Sequence, residues 1–189
     1  MKVLKFGGTS VGSAQRMKEV AKLITDVNRR LLYFQPCLEQ QTRWLKFRII
    51  CIRKIPKVRM KSLTDWRHKY KQHVNELYST DEYKQKTQEF IKAQFDYIRS
   101  YTKDIFTLFE EKVILAQGEL ISTNMVTNYL QEQGVNAILL PALEFMRTDK
   151  NSEPDPVYIK EKLAAQLEIH PDAEIISHKV LSAVTPMAR

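Results

Sequence analysis

Lys5-Phe6-Gly7-Gly8-Thr9-Ser10 gathers a cation, a glycine pair and two hydroxyls in six residues, within the first ten of the chain. A glycine pair between a strand and a helix lets backbone approach a phosphate while the helix N-terminus offers free N–H groups and a positive dipole end. Lys5 would add a point charge for phosphate oxygens, as phosphoryl transfer requires. The spacing is neither a Walker motif nor GxGxxG, so an ordinary strand-to-helix turn explains it equally well. Glu119 and Arg147 are the other residues able to do chemistry. Glu119 reads either as a ligand carboxylate or as a first-turn acid favoured by a helix dipole. Arg147 reads either as an anion contact or as half of a surface ion pair. Two cysteines and four histidines lack metal-site spacing, and two cysteines cannot form a disulfide framework.

These residues need elements to hold them. Val3, Leu4 and Phe6 form a short apolar run that ends in glycine, which predicts a buried strand over Met1 to Gly7. Met17, Val20, Ala21, Leu23 and Ile24 then recur at helical spacing over Ser13 to Asp26, with Thr9, Ser10 and Ser13 available as caps. Ser79-Thr80-Asp81-Glu82 is a capping-box signature. The stripe Tyr83, Phe90, Tyr97, Tyr101, Ile105 and Leu108 beyond it predicts a long amphipathic helix or helix pair with an aromatic core face. Val113 to Gln133 reads as helix, with Gly134 placed for a left-handed cap. A strand at Val135 to Leu140, a helix at Val157 to Leu167 and a strand at Ala173 to Ile176 complete the pattern. Strands alternating with helices predict an α/β fold, a mostly parallel sheet flanked by helices. The first strand and Val135 to Leu140 are expected as parallel neighbours, with the Ser13 to Asp26 helix packed on them.

With 189 residues, 43% hydrophobic and 28% charged, the chain has the composition of one globular domain. No run approaches the ~18 apolar residues of a membrane helix, and the start lacks a secretory signal, so a reducing, cytoplasmic setting is expected. The net charge of +8 is concentrated. Val27 to Lys69 holds twelve Lys or Arg against Glu39 and Asp65, a block of +10 that leaves −2 for everything else. Both cysteines, Cys37 and Cys51, and both tryptophans, Trp44 and Trp66, also fall there. A nucleic-acid arm with Trp44, Phe47 and Trp66 as stacking groups is the weaker reading of this block.

Three strings carry a resemblance. Lys5-Phe6-Gly7-Gly8-Thr9-Ser10-Val11 resembles the N-terminal signature of the aspartokinases, within the amino-acid kinase superfamily. Leu115-Ala116-Gln117-Gly118-Glu119-Leu120-Ile121-Ser122 is similar to that family's helix start, whose glutamate recognises the substrate amino group. Arg147-Thr148-Asp149 is similar to its segment near the substrate pocket. The resemblance covers about Met1 to Asp26 and Tyr70 to Ile176. It implies the N-terminal portion of an amino-acid kinase domain across residues 1–189, a truncated three-layer sandwich. It also implies ATP and Mg2+ as cofactors, L-aspartate as substrate and a homodimer for the intact family enzyme. Lys5 takes the catalytic role, and Lys5, Phe6, Gly7, Gly8, Thr9 and Ser10 the nucleotide. Glu119, Arg147 and Thr148 take the substrate.

Two segments, 27–69 and 177–189, depart from the family. A family-type loop, LSAMSGTTNS, can be encoded CTT TCA GCC ATG TCT GGA ACA ACA AAC TCG. Read from its second nucleotide this gives Phe-Gln-Pro-Cys-Leu-Glu-Gln-Gln-Thr-Arg, which is Phe34 to Arg43. The family strand ITQGFI, encoded ATC ACA CAA GGT TTT ATC, gives Ser177 to Ser182 in the same way. A frameshifted coding sequence accounts for both segments, and an inactive fragment is expected. The alternative is a non-catalytic remnant or a partner-dependent fragment with no enzymatic role.

Overall fold

The computed structural model describes residues 2–7, 10–25, 30–34, 56–101, 108–149, 151 and 153–178. Among them are β1 (Lys2–Phe6), α1 (Ala14–Ile24), β2 (Arg30–Phe34), α2 (Pro56–Leu77), α3 (Asp81–Tyr101), α4 (Leu108–Glu132), β3 (Ala137–Leu140), α5 (Pro156–Ile169) and β4 (Ile175–His178). The strands form one sheet in the order β1-β2-β4-β3, and every pairing is parallel. The α/β expectation therefore holds. The neighbour expectation does not, because β1 and β3 stand at opposite edges with β2 and β4 between them. β2 comes from the basic block, where two arginines precede Leu31-Leu32-Tyr33-Phe34 and composition hides a short apolar strand.

Strand alternation divides the side chains between two layers. On one face Leu4, Phe6, Ala137 and Ile175 join the core built by α1, α2, α3 and α4. On the other, Ile138, Leu140 and Ile176 meet Ala142, Phe145, Ala173 and the inner residues Leu163 and Leu167 of α5. The first layer is thick, with Ile24, Leu63, Leu77, Phe95, Ile98, Ile121, Met125 and Leu130 fully enclosed. Each such side chain contributes roughly 1.5–3 kcal/mol. The second layer is thin, since α5 buries no residue completely. Toward β1 no described helix covers it, and Val3 is 65% exposed.

Local signals explain most helix boundaries. Ser13 caps α1 by accepting from the Arg16 N–H at 3.4 Å, and Ala14, Met17, Val20, Ala21 and Ile24 form its inner stripe. Gly134, at φ 80°, ends α4, with Val135 N–H donating to Leu130 O and Gly134 N–H to Gln131 O, the paired bonds of a left-handed terminus. The cap of α3 differs from the box expected. Glu132 Oε1 accepts from Ser79 N–H at 2.9 Å and from Thr80 N–H and Oγ1 at 2.7 Å each, so the carboxylate comes from the end of α4. The aromatic stripe is also displaced. Thr87, Ile91, Phe95 and Ile98 are the buried face of α3, while Tyr83 and Phe90 lie half-buried and Tyr97 exposed. Ile105 lies outside the described residues.

Candidate active site

In an open parallel sheet, ligands meet the carboxyl ends of the strands, where helix N-termini and loops converge. β1 delivers Lys5 to this end. Lys5 shares the face of Val3 and is paired in register with Tyr33, Tyr33 with His178, and His178 with Leu140, so one row crosses the sheet. Phe6 points the other way and packs on the core, which fixes the strand end. Gly7 follows, and its carbonyl accepts from Ser10 N–H at 2.9 Å, turning the chain toward α1. A Cβ built on Gly7 would meet nothing within 4 Å, so open space adjoins the backbone here. That space, an exposed lysine and the nearby start of α1 fit the phosphates of a nucleotide. Gly8 and Thr9 lie outside the described residues.

Glu119 does not stand in the first turn of its helix. α4 begins at Leu108, so Glu119 is three turns inside the helix, beyond the reach of the N-terminal dipole. It is 8% exposed, on a helix that also buries Gln117, Ser122, Thr123, Thr127 and Asn128. Three of these hydroxyls bond back to the helix: Ser122 Oγ to Gly118 O, Thr123 Oγ1 to Glu119 O and Thr127 Oγ1 to Thr123 O. A carboxylate at that depth calls for polar partners or a ligand rather than solvent.

Arg147 and Thr148 follow β3, so they start from the sheet edge opposite Lys5. Arg147 donates to Asp155 Oδ2 from Nε at 3.2 Å and from Nη2 at 2.5 Å, and its guanidinium lies 4.2 Å from the Tyr158 ring centroid. Arg147 forms an ion pair with Asp155. Hydrogen bonding by Arg147 holds the Asp155 carboxyl below its ordinary range, helped by the Tyr158 N–H, and the same bond raises Arg147. Thr148 bridges Pro154, and Asp149 Oδ1 accepts from the N–H groups of Asn151 and Glu153. These bonds engage Nε and Nη2, and the Arg147 side chain stays 55% exposed.

Two residues missed in sequence continue β4. Ser177 is fully buried, hydrogen bonds Thr127 and donates to Ile138 O at 2.9 Å. His178 is 8% exposed, with its ring edge-on to Phe145 at 5.4 Å. Both begin a segment that departs from the family, so no motif drew attention to them. Among the described residues no group of three His, Cys, Asp or Glu side chains converges to hold a metal. No described helix is long and apolar enough to cross a membrane.

No family model matches the chain, and no curated protein matches it in sequence. Solved structures do. Escherichia coli aspartokinase III in complex with aspartate and ADP superposes with a TM-score of 0.80 at 22% identity, over 94% of this chain and 40% of that one. The same enzyme with lysine and aspartate gives 0.79 at 23% identity, with the same coverage. Clostridium acetobutylicum aspartate kinase gives 0.62 at 18% identity, over 94% of this chain and 38% of that one. These likenesses establish the fold. The chain spans about 40% of the length of the two Escherichia coli structures.

Proposed function

We propose that the chain carries part of the machinery that transfers the γ-phosphate of ATP to the side-chain carboxylate of L-aspartate, giving 4-phospho-L-aspartate and ADP. This is the entry to lysine, threonine and methionine synthesis. The observation that carries the reading is the Lys5–Gly7 turn at the carboxyl end of a parallel strand, in the fold of an aspartokinase solved with aspartate and ADP. A carboxylate oxygen attacks the γ-phosphorus, the bond to the bridging oxygen breaks, and ADP leaves with the electron pair. No enzyme nucleophile is needed. Lys5 neutralises charge on the phosphoryl oxygens. Phe6 fixes the strand end, and the backbone of Gly7, Gly8, Thr9 and Ser10 lies along the phosphates. Glu119 takes the substrate amino group, and Arg147 with Thr148 stands at the pocket's border. Mg2+ would screen the phosphates. Such an ion is bound mainly by the substrate phosphates and keeps several of its waters.

The chain binds without turning over. On this reading residues 1–189 supply the N-terminal part of the domain and only part of its constellation; the chain spans about 40% of the length of the Escherichia coli structure. Preorganised charges act together or hardly at all. The test is aspartate-dependent ADP release by the 189-residue chain, expected at background, beside calorimetric titration with ADP and with L-aspartate. Lys5→Ala should weaken the ADP signal and Glu119→Ala should abolish the aspartate signal. Turnover by the chain as it stands would overturn the fragment reading. Binding of neither ligand, or binding untouched by both substitutions, would overturn the site.

A further inference from the structure

We propose that the cleft between α2 and α3 binds a short phosphate chain, as carried by inorganic polyphosphate or a nucleoside polyphosphate, at a site separate from the strand ends. The cleft has a volume of about 330 Å³ and is lined by Thr64, Arg67, His68 and Lys71 from α2 and by Gln88 and Ile91 from α3. The α2 residues follow one another at i, i+3, i+4 and i+7, so they form a single stripe on one helix face. At 1.5 Å of rise per residue the stripe is about 10 Å long. That length suits two or three linked phosphates. Ile91, 3% exposed, closes the floor. Gln88 is steadied on the opposite wall by donating to Asn75 Oδ1 at 3.3 Å.

The electrostatics are one-sided. Among the described residues none of Arg67, His68 and Lys71 enters an ion pair or a side-chain hydrogen bond, and no carboxylate lines the cleft. The nearby acid, Asp96, is engaged by Lys92 at 2.9 Å and Arg99 at 3.5 Å, and Arg67 adds only a weak field to it. Basic groups facing one cleft without counter-ions repel one another, and a multivalent anion removes that repulsion. Arg67 offers a planar fork to phosphate oxygens, and Lys71 a mobile point charge. Thr64, Arg67 and His68 belong to the basic block that departs from the family. The site is therefore a property of this chain and does not rest on the aspartate reading.

The test is calorimetric titration of the full chain with tripolyphosphate, ADP and adenosine, with circular dichroism of each variant confirming that it folds. Tripolyphosphate should bind and adenosine should not. Arg67→Ala and Lys71→Gln should each weaken tripolyphosphate about tenfold or more, the size expected for one charged contact. Arg67→Lys should fall between, keeping the charge and losing the fork. Lys69→Ala removes the same charge from α2 outside the cleft and should change affinity less than about twofold, as expected for an exposed charge. With Lys5→Ala already in place, Arg67→Ala and Lys71→Gln should still weaken tripolyphosphate about tenfold, which separates this site from the strand-end turn. ADP losing affinity in the Arg67 variant as tripolyphosphate does would mark the phosphate chain itself as the ligand. Absence of tripolyphosphate binding, equal weakening by Lys69→Ala, or loss confined to Lys5→Ala would each overturn the proposal.

Discussion

Asp155 does two jobs with one carboxylate. Its Oδ1 accepts from the Tyr158 N–H at 3.1 Å and so caps α5, while Oδ2 takes the Arg147 guanidinium. The hairpin from Arg147 to Asp155 is thereby fastened to a helix start. Because Asp155 titrates below the ordinary carboxylate value in the folded chain, the linkage has a definite sign. Its stabilisation is complete above the unfolded pKa of about 3.9 and is lost as pH falls through the lowered folded value. An NMR titration of the Tyr158 amide should report a midpoint below about 3.9, and Arg147→Ala should move that midpoint upward. A midpoint indifferent to Arg147 would show that the cap alone sets the shift. Arg147 was legible in sequence as a functional residue and equally as an ion-pair partner. Its partners were not legible, because only the fold brings Asp155 and Tyr158 back to it.

At the scale of elements, α3 and α4 are tied by a carboxylate that no local pattern assigns. Glu132 receives three hydrogen bonds from Ser79 and Thr80, more than fifty residues earlier in the chain. Removing an acceptor from a helix start leaves backbone donors unsatisfied. Glu132→Ala should therefore cost about 1–2 kcal/mol in chemical denaturation, and Glu132→Gln, which keeps a carbonyl acceptor, should cost less. Tyr78 joins the same helices through its hydroxyl, which donates to Met125 O at 2.7 Å, and burial pushes its ionisation well above the ordinary tyrosine value. Tyr129 is raised by the same cause. A group protonated longer in the folded state loses stability as pH climbs beyond its unfolded pKa, so the chain should weaken above about pH 10. Tyr78→Phe should make that alkaline loss shallower in a pH series of denaturation midpoints. The starts of α1 and α5 and the Gly134 terminus were legible because their signals lie within a turn of the boundary, whereas α2 carried no such signal and α4 starts at Leu108 rather than at Val113. The buried face of α3 was not, since a heptad stripe of aromatics and the true stripe through Thr87, Ile91 and Ile98 lie side by side on one helix. The packing of α4 against α3 selects between them. Strand order was hidden for a like reason, because pairing partners are set by contacts remote in sequence and β2 lay under twelve basic residues.

For the whole molecule, the frameshift reading means that the fold persists across two segments whose sequences do not belong to it. Block 27–69 supplies β2 at the centre of the sheet and Leu63 to the core, and 177–189 supplies Ser177 and His178 to β4. Tolerance has a physical basis. Leu31 to Phe34 stay apolar enough to form a strand, and Ser177 satisfies its hydroxyl on Thr127 and Ile138 O, so burial leaves no orphaned group. What such a seam cannot preserve is a loop built from particular hydroxyls and glycines. We expect codons 34 to 43 of the coding DNA, read in the alternative frame, to spell a Ser- and Gly-containing loop of the aspartokinase type. The frame after codon 176 should continue into Arg-Gly-Gly-Ser-Asp. Sequencing of genomic DNA across both regions is the measurement, and a sequence carrying neither would remove the frameshift while leaving the fold as it is. The two regions also make the result decisive at the level of charge. A restored frame replaces the basic block, so Arg67, His68 and the cleft they line would vanish with it, whereas the turn at Lys5 to Ser10 and the buried Glu119 would remain.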